Sequence, residues 1–417
     1  MKRILSGIVL LHSVLSAQVP TVTLDQAVQE ALASNLDLAA ERYNISVAQA
    51  RQITAALRPN PVLTVTTQTL NLLGTRYRPT SPAGPNQMNM HTDFVFERGA
   101  KRENRITLAN ADRSLTEFGV RDLSRRLILE VDSVFVDVLQ AKSNLALAQD
   151  NLRSLQGIVE VNQAKVNAGE IASVELDRSR VAALQYQGAV DRAALEVTQA
   201  KFRLQLLMGR TAPSELFDVT GELRRGAVLD RPEEIRARAL GQRPDVQGLH
   251  QSQARSQADL RLQLSNGKVD FTAGTEYSYQ RAYGFGGSSL GFSFSAPIPV
   301  FNKNQGEIAR AQREIEQAGA RLKAIEAEVS AEVDAAYRQY FTFQQLLIGI
   351  ENNLLKTSQN VRDVTEYSYR RGEASLVEFL DAQRAFNDSM QSYNEARANF
   401  ARSLYLMDAV SGAAAAP

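Results

Sequence analysis

The side chains that most often carry chemistry are sparse in this sequence. Its 417 residues contain three histidines and no cysteine. Two of the histidines, His91 and His250, stand alone in unrelated stretches. Since two isolated histidines without cysteine do not make a transition-metal site, we interpret both as ordinary residues of polar faces and predict no metal site. The lack of cysteine also argues against a disulfide framework and a lipid-modified N-terminal cysteine.

Catalytic motifs are equally scarce. The sequence contains no GxSxG, HExxH or GK[ST] motif. The run GFGGSSLG at residues 284–291 is superficially similar to a nucleotide-binding loop. It lies between two alternating segments rather than before a helix, which favours a hairpin turn. The charge is balanced, with 47 basic and 46 acidic residues, so no nucleic-acid surface is expected. We therefore predict a protein that is not an enzyme and needs no cofactor.

The most informative pattern is a duplication. The sequence AGEIASVELDRSRVA around Gly169 matches RGEASLVEFLDAQRA around Gly372. Upstream, EALASNLDL, which ends at Leu38, matches RALGQRPDV, which ends at Val246. A period of roughly 200 residues is too long for a solenoid repeat. The pattern therefore indicates a duplicated half-protein.

The N-terminus has the features of an export signal. Lys2 and Arg3 form a positive region, Ile4 to Leu11 form an apolar core, and Ser16-Ala17 provide the small residues of a cleavage site. Leu15 is larger than cleavage sites prefer, and a short buried helix is the alternative. We predict a signal peptide at residues 1–17. No other stretch approaches the ~18–20 apolar residues of a membrane-spanning helix, so export without an inner-membrane anchor is expected.

Each half is predicted to contain helices, a strand pair and a long helical hairpin. The predicted boundaries are 18–220 for the first repeat (strand pair about 61–97, hairpin about 101–209), 221–412 for the second (strand pair about 268–299, hairpin about 302–411) and 413–417 for a tail. A single helix is predicted from Leu24 to Leu57, ended by the RPNP sequence. Proline-free segments such as 101–168 predict rods of roughly 100 Å at ~1.5 Å per residue.

Apolar and polar residues alternate with a period of two along the predicted strand pairs. In the first pair, Met88, Met90 and Phe94 share one face, and Asn89 and Asp93 share the other. The second pair is predicted to run from Val269 to Ile298 across a glycine-rich turn, and the first connecting loop, Gly74 to Asn86, is the longer one.

Four such strands cannot close a barrel, and an open edge in lipid leaves backbone amides without partners. Transmembrane barrels need about eight strands or more, so two chains would supply eight and three would supply twelve. A soluble β-sandwich is the alternative, although no layer of this chain could cover its apolar face. We predict a membrane barrel shared between chains.

The sequence resembles the TolC-like outer-membrane efflux proteins over essentially its whole mature length. The resemblance rests on the two glycine turns, on FERGAKR at Phe96–Arg102 and on PIPVFNKNQGEIARA at Pro297–Ala311. The last stretch is similar to the outer-membrane component of cobalt-zinc-cadmium-type exporters. FERGAKR departs slightly, because the family tends to show a double glycine there.

The resemblance implies a mainly α fold with a small β part: a homotrimer with a 12-stranded transmembrane β-barrel embedded in outer-membrane lipid and continued by a long periplasmic α-helical barrel. It also implies partners, namely a periplasmic adaptor protein and an inner-membrane pump of the resistance-nodulation-division type. The chain itself would be a passive, gated exit duct for heavy-metal cations.

By the same resemblance, the two glycine turns form the periplasmic tips and dock the adaptor. These residues are Ala168, Gly169, Glu170, Ile171, Ala172 and Ser173 in the first turn, and Arg371, Gly372, Glu373, Ala374 and Ser375 in the second. Plain helical-hairpin turns are the alternative. A glycine at each turn permits backbone angles that a side chain obstructs.

Glu378 and Asp381 lie three residues apart on a predicted helix and so share a face. The resemblance places them at the channel constriction, where symmetry would make each a ring of negative charge that attracts cations. Tyr369 matches a family tyrosine that holds the entrance shut. The family's basic partner is replaced by Ala374, with Arg370 or Arg371 as substitutes. The alternative for each acid is an ordinary solvated helix face.

Two further functions stay open at this stage. One is drug efflux or type I protein secretion through the same architecture. The other is a periplasmic coiled-coil adaptor or scaffold, which would need one hairpin and sandwich-like β domains rather than two copies of each.

Overall fold

The computed structural model describes residues 21–69, 86–226, 230–282 and 285–413. The predicted signal peptide, most of the predicted first loop and all but the first residue of the predicted tail lie outside these ranges. The described residues belong to two compact units. One comprises the described parts of Met1–Leu36, Arg125–Asp230 and Ala335–Ala409, and the other those of Asp37–Ser124, Arg231–Asp334 and Val410–Pro417.

Apart from two short strands and a π-helical turn, both halves of the sequence follow the order helix, helix, strand, strand and long helical hairpin. In the first half the elements are β1 (Thr21–Val22), α1 (Leu24–Ser34), α2 (Leu36–Ala56), β2 (Val62–Gln68), β3 (Asn86–Phe96), α3 (Lys101–Asn167), α4 (Ser173–Leu207) and β4 (Asp218–Val219). In the second half they are α5 (Pro232–Gln242), α6 (Pro244–Asn266), β5 (Phe271–Ala282), β6 (Phe285–Ser295), α7 (Gln305–Gly349), a π-helical turn (Ile350–Leu354), α8 (Leu355–Arg371) and α9 (Leu376–Ser411).

In the second unit, four antiparallel strands form one sheet in the order β2-β3-β5-β6. The register pairs Phe96 with Phe271 and Ala273 with Phe294. Aromatic residues therefore share one face of the sheet, as the alternation predicts. β6 ends at Ser295 rather than at the predicted Ile298, because Pro297 and Pro299 have no N–H to donate to a ladder.

The glycine-rich run after residue 284 is part of a strand, which corrects its prediction as a turn. Gly286 and Gly287 pair in β6 with Arg281 and Gln280 of β5. A Cβ on Gly286 would lie 2.5 Å from the hydroxyl of Tyr279. The glycine thus makes room for a tyrosine from the neighbouring strand, a common reason for glycine within a sheet.

The predicted helix Leu24–Leu57 is two helices, because Asn35 interrupts it. The backbone of Asn35 has a ψ of 128°, and its N–H closes α1 by donating to the carbonyl of Ala31 at 2.9 Å. Its side-chain amide donates to the carbonyl of Leu207 at the end of α4, at 3.0 Å. The Asn35 side chain thus supplies a hydrogen-bond donor to a carbonyl at the end of α4. This interaction favours a break at Asn35 over the continuous helix that the local sequence pattern predicts.

The long helices of the first unit are aligned by buried and half-buried amides. Asn144 accepts a hydrogen bond from Asn394 at 3.0 Å, and Asn151 donates to Asn387 at 2.7 Å. Asn151 also accepts from the buried Gln383 at 2.9 Å. The asparagines of α3 and α9 are each seven residues apart, so both pairs fit one antiparallel register. Polar pairs inside a helix interface select a single register.

The second helical hairpin, predicted at about 302–411, contains a π-helical turn at Ile350–Leu354. Glu351 in this turn accepts a hydrogen bond from the Tyr393 hydroxyl at 3.1 Å. A single π turn within an α-helix is a typical local irregularity. None of the helices in the described part of the chain is both long and apolar enough to cross a membrane.

Candidate functional site

The two glycine turns have the same backbone geometry. Gly169 and Gly372 have φ angles of +75° and +81°, which only glycine adopts without strain. The N–H of Gly169 donates to Val166 and that of Glu170 to Lys165, at 3.0 and 2.9 Å. These two bonds define a Schellman motif, which satisfies the last carbonyls of a helix.

The second turn repeats this geometry. The N–H of Gly372 donates to Tyr369 at 3.0 Å and that of Glu373 donates to Ser368 at 2.9 Å. A Cβ at either glycine would meet no atom within 4 Å among the described residues. The glycines are therefore required by backbone angle and not by crowding.

The helices that follow the two turns begin differently. At the second turn, Glu378 accepts hydrogen bonds from the backbone N–H and the hydroxyl of Ser375, at 2.7 and 2.9 Å. The Glu378 N–H in turn donates to the Ser375 hydroxyl at 3.2 Å. This is a capping box. At the first turn Ala172 occupies the capping position, and no side chain caps α4.

The capping box gives Glu378 a structural role that the sequence interpretation missed, although the S-x-x-E spacing is visible in the sequence. The hydrogen bonds from Ser375 lower the pKa of the Glu378 carboxyl, because both stabilise its charged form. Glu378 therefore carries a negative charge at neutral pH on an exposed helix end.

Tyr369 is buried, in contrast to the acids. Its hydroxyl donates to Asn162 of α3 at 2.7 Å, and its ring stacks on Phe379 of α9 at 5.7 Å between centroids. Leu155 and Ile158 belong to the same core cluster. Burial raises the pKa of the Tyr369 hydroxyl, because a phenolate would lose its hydration there. The residue fastens the end of α8 to α3 and α9.

The predicted substitutes for the missing basic residue have other partners. Arg370 pairs with Glu366 on its own helix at 2.8 Å, and Arg371 lies 4.5 Å from the ring centre of Tyr367. Asp381 is exposed, with Arg384 at 3.8 Å. The structure thus divides the predicted gate into a buried tyrosine and two exposed acids.

The segments that lead into the two glycine turns are joined through Lys165, a residue that the sequence did not single out. Its ammonium group donates to the carbonyl of Arg370 at 3.3 Å and lies 5.6 Å from the ring centre of Tyr369. Of the eleven predicted tip residues, Ile171 and Ala374 are half-buried. The other nine are exposed: Ala168, Gly169, Glu170, Ala172, Ser173, Arg371, Gly372, Glu373 and Ser375.

An apolar groove lies beside the glycine turns, between the first three turns of α4 and the start of α9. It has a volume of about 400 Å³ and includes Val174, Val181, Leu376, Val377 and Leu380. Val174 and Val181 are seven residues apart and more than half exposed. Their spacing is the sequence signal that could have identified the groove, since residues i and i+7 share a helix face.

His91 and His250 lie in different elements. His91 lies in β3 and forms a 2.8 Å contact through Nε2 with Asp93, and His250 lies in α6. Across the described ranges, no group of three or more His, Cys, Asp or Glu side chains is arranged to hold a metal ion.

Comparison with known proteins identifies the architecture. The family model described as "Outer membrane efflux protein" matches residues 27–210 and 235–413. The chain is 22% identical over 364 residues to the cobalt-zinc-cadmium resistance protein CzcC of Cupriavidus metallidurans, which covers 87% of this chain and 83% of that protein. It is 25% identical over 399 residues to the pyoverdine export outer membrane protein OpmQ of Pseudomonas putida, covering 87% and 80%.

Among solved structures, the chain is similar to the channel protein CusC. The TM-score is 0.74 at 17% sequence identity, and the match covers 93% of this chain and 92% of that one. This confirms the predicted TolC-like fold of helical hairpins and a small sheet. The chain belongs to the outer membrane efflux protein family, and it is a channel of the outer membrane that extends into the periplasm.

Proposed function

We propose that the chain is the passive, gated exit duct of a tripartite efflux system that exports heavy-metal cations. Membership of the outer membrane efflux protein family supports the role as a channel. It also argues against the alternative function as a periplasmic adaptor. Channels of this family form trimers and work with periplasmic adaptors and inner-membrane pumps. For this chain we infer a homotrimer and a pump of the resistance-nodulation-division type as the source of energy.

The sheet supports assembly into a closed barrel. In the four-stranded order, β2 and β6 are at the two ends, and among the described residues each has a partner strand on one side only. In lipid, unpaired amides cost several kcal/mol each, roughly. Three copies would join these ends into twelve strands, and the face that carries Phe292 and Phe294 would contact lipid.

The tips support docking of an adaptor. Glu170 and Glu373 are exposed at the two turns, and the groove that includes Val174 and Val377 lies beside them. Apolar pockets with a charged rim are typical of protein interfaces.

A photocrosslinking amino acid tests the docking. Placed at Ile171 or Val377 in the native host, it should capture a periplasmic protein that mass spectrometry identifies as an adaptor. The matched control is Glu196, an exposed residue of α4 away from the turn. Equal capture of the same protein at Glu196, or capture of none at the tips, would remove the turns from docking.

The cargo is proposed from one relative. CzcC is described as a cobalt-zinc-cadmium resistance protein. OpmQ, described as a pyoverdine exporter, favours a different cargo, so drug efflux and type I secretion are kept as the second candidates.

Deletion of the gene tests the cargo. We expect deletion to sensitise cells to cobalt, zinc or cadmium salts, and the intact gene to restore tolerance. Dyes, detergents and a comparison of secreted proteins form the control panel. Normal metal tolerance in a strain without a second homologue, together with sensitivity to dyes or loss of a secreted protein, would assign the duct to the alternative cargo.

A further inference from the structure

The segment after β6 exposes a set of large apolar side chains. Ile298 is 84% exposed, Val300 is 65% exposed and Phe301 is 90% exposed. Pro297 and Pro299 alternate with them and keep the segment out of the sheet. Such a run on a water-exposed loop would be unfavourable, so it indicates a contact surface.

The position of this segment points to the membrane. It directly follows the end of the sheet, where the rings of Phe96 and Phe271 stack at 5.2 Å and those of Phe271 and Phe294 lie 5.6 Å apart. Aromatic residues at strand ends are typical of the boundary between lipid tails and headgroups. The long helix α7 begins at Gln305, so this end of the sheet is the one toward the periplasm.

Basic side chains lie around the same segment. Lys268 and Lys303 line a cavity of about 500 Å³ together with Pro297 and Phe301, and neither lysine forms an ion pair with any residue in the described ranges. Lys101 lines the cavity too, but its ammonium group pairs with Asp270 at 2.7 Å. Two ammonium groups that form no ion pair in the described part of the chain, beside exposed apolar side chains, match the phosphate and upper acyl region of a lipid.

We propose that the segment from Pro297 to Lys303 anchors the channel in the inner leaflet of the outer membrane. Ile298, Val300 and Phe301 insert among the upper acyl chains, and Lys268 and Lys303 bind lipid phosphates. The anchor depends on the outer-membrane location and not on the cargo. It continues the lipid-facing side of the sheet past the point where the strands end.

A neighbouring copy of the chain is the other candidate to cover this segment. The two occupants differ in what surrounds Phe301, which would be lipid in one case and protein in the other. The continuity with the aromatic ends of the strands and the two lysines favour lipid.

The chain contains no tryptophan, so Phe301→Trp introduces a single tryptophan whose fluorescence reports on this position. The purified full-length variant is reconstituted into vesicles that contain phospholipids brominated at a shallow or a deep acyl position. We expect blue-shifted emission and roughly twofold stronger quenching by the shallow bromines, as for a side chain at the interface.

Two further variants calibrate this measurement. Phe292→Trp lies within β6 and should be quenched by the deep bromines, and Phe341→Trp lies on α7 and should be insensitive to brominated lipid. Red-shifted emission of Phe301→Trp with quenching by aqueous iodide would show an uncovered segment. Blue-shifted emission without lipid quenching would show burial against a second copy. Either result would overturn the anchor.

The lysines are tested separately with Phe301→Trp as the background. Brominated phosphatidylglycerol should quench the probe about twice as strongly as brominated phosphatidylcholine at equal mole fraction. Lys268→Gln with Lys303→Gln should abolish this preference, whereas Arg313→Gln, an exposed residue of α7, should leave it intact. Free inorganic phosphate should not compete. A preference that survives the double substitution would remove the lysines from headgroup binding.

Discussion

At the first turn of α9, the carboxylate of Glu378 both caps its helix and carries the charge that the proposed constriction requires. Glu378→Gln keeps an acceptor for Ser375 but removes the charge, whereas Ser375→Ala keeps the charge but weakens the cap. We expect Glu378→Gln to lower cation selectivity and Ser375→Ala to preserve it, because a ring of charge acts through its field. Reversal potentials of single channels in a salt gradient measure this.

Asp381 should have a smaller effect, because Arg384 lies 3.8 Å away and offsets part of its charge. Asp381→Asn is therefore the matched comparison. Reversal potentials that are the same in the wild type, Glu378→Gln and Asp381→Asn would remove both acids from ion selection.

Asp132 on α3 should make stability depend on pH. Burial raises the pKa of its carboxyl to about 7, with a further contribution from Asp408. Arg224 opposes the shift and Asp25 adds slightly to it, while Tyr405 of α9 also faces the group. The folded state thus holds a proton that the unfolded state releases at lower pH.

This difference in bound protons sets the direction in which the free energy of unfolding changes with pH. Stability from this group falls as pH rises from about 4 to about 7, and the destabilisation, up to about 4 kcal/mol, is complete above that range. Asp132→Asn should therefore raise the melting temperature more at pH 8 than at pH 5. Glu130→Gln, an exposed change on the same helix, is the control. An equal effect of Asp132→Asn at both pH values would contradict the prediction.

At the scale of elements, the end of α8 is held to α3 by one hydrogen bond between buried groups. Tyr369 donates to the oxygen of Asn162, and the amide nitrogen of Asn162 has no partner among the described residues. Tyr369→Phe would leave that amide with no partner, at a cost of roughly 1–3 kcal/mol.

We expect Tyr369→Phe to loosen the two glycine turns and speed proteolysis near Gly169 and Gly372. Tyr367→Phe, more than half exposed on the same helix, is the control. If the tyrosine also holds the entrance shut, conductance should rise in parallel. Unchanged proteolysis and melting would show that the ring stacking on Phe379 is sufficient by itself.

At the scale of the whole molecule, closure of the barrel between copies can be tested by crosslinking. Within one chain, β2 and β6 are separated by β3 and β5, so they are about 14 Å apart at ~4.8 Å per strand. This exceeds the reach of a disulfide. The chain has no cysteine, so a cysteine on β2 and one on β6 can bridge only between copies.

We expect Thr64→Cys combined with Ser289→Cys, Gly291→Cys or Ser293→Cys to give dimer and trimer bands for at least one register. Thr64→Cys alone should give no trimer. Monomer bands for every pair, together with a monodisperse monomer in buffer without detergent, would exclude the shared barrel.

The elements that could be predicted are those specified by local periodicity. The strand alternation around Phe94, the proline-free rods and the two glycine turns were all readable, because each depends on neighbours within a few residues. The break at Asn35, the π-helical turn and the short pair of β1 and β4 were not. Each depends on a partner far away in sequence, such as the carbonyl of Leu207 for Asn35.

The candidate site shows the same division. The turn segments were found because their glycines and acids recur in both halves, and the capping box between Ser375 and Glu378 could have been found from its spacing. The burial of Tyr369 and the bridge from Lys165 could not, because both require α3 and α8 to lie side by side.

The amino-acid order alone determined the duplication, the alternating strands and the long helices, since these are properties of short stretches of chain. The tertiary structure decided which amides align α3 with α9 and which gate residue is buried. It also decided which lysines beside Phe301 form no ion pair with the residues that the structure describes. Such pairings join residues that are distant in the sequence, and only packing in three dimensions brings them within hydrogen-bonding distance.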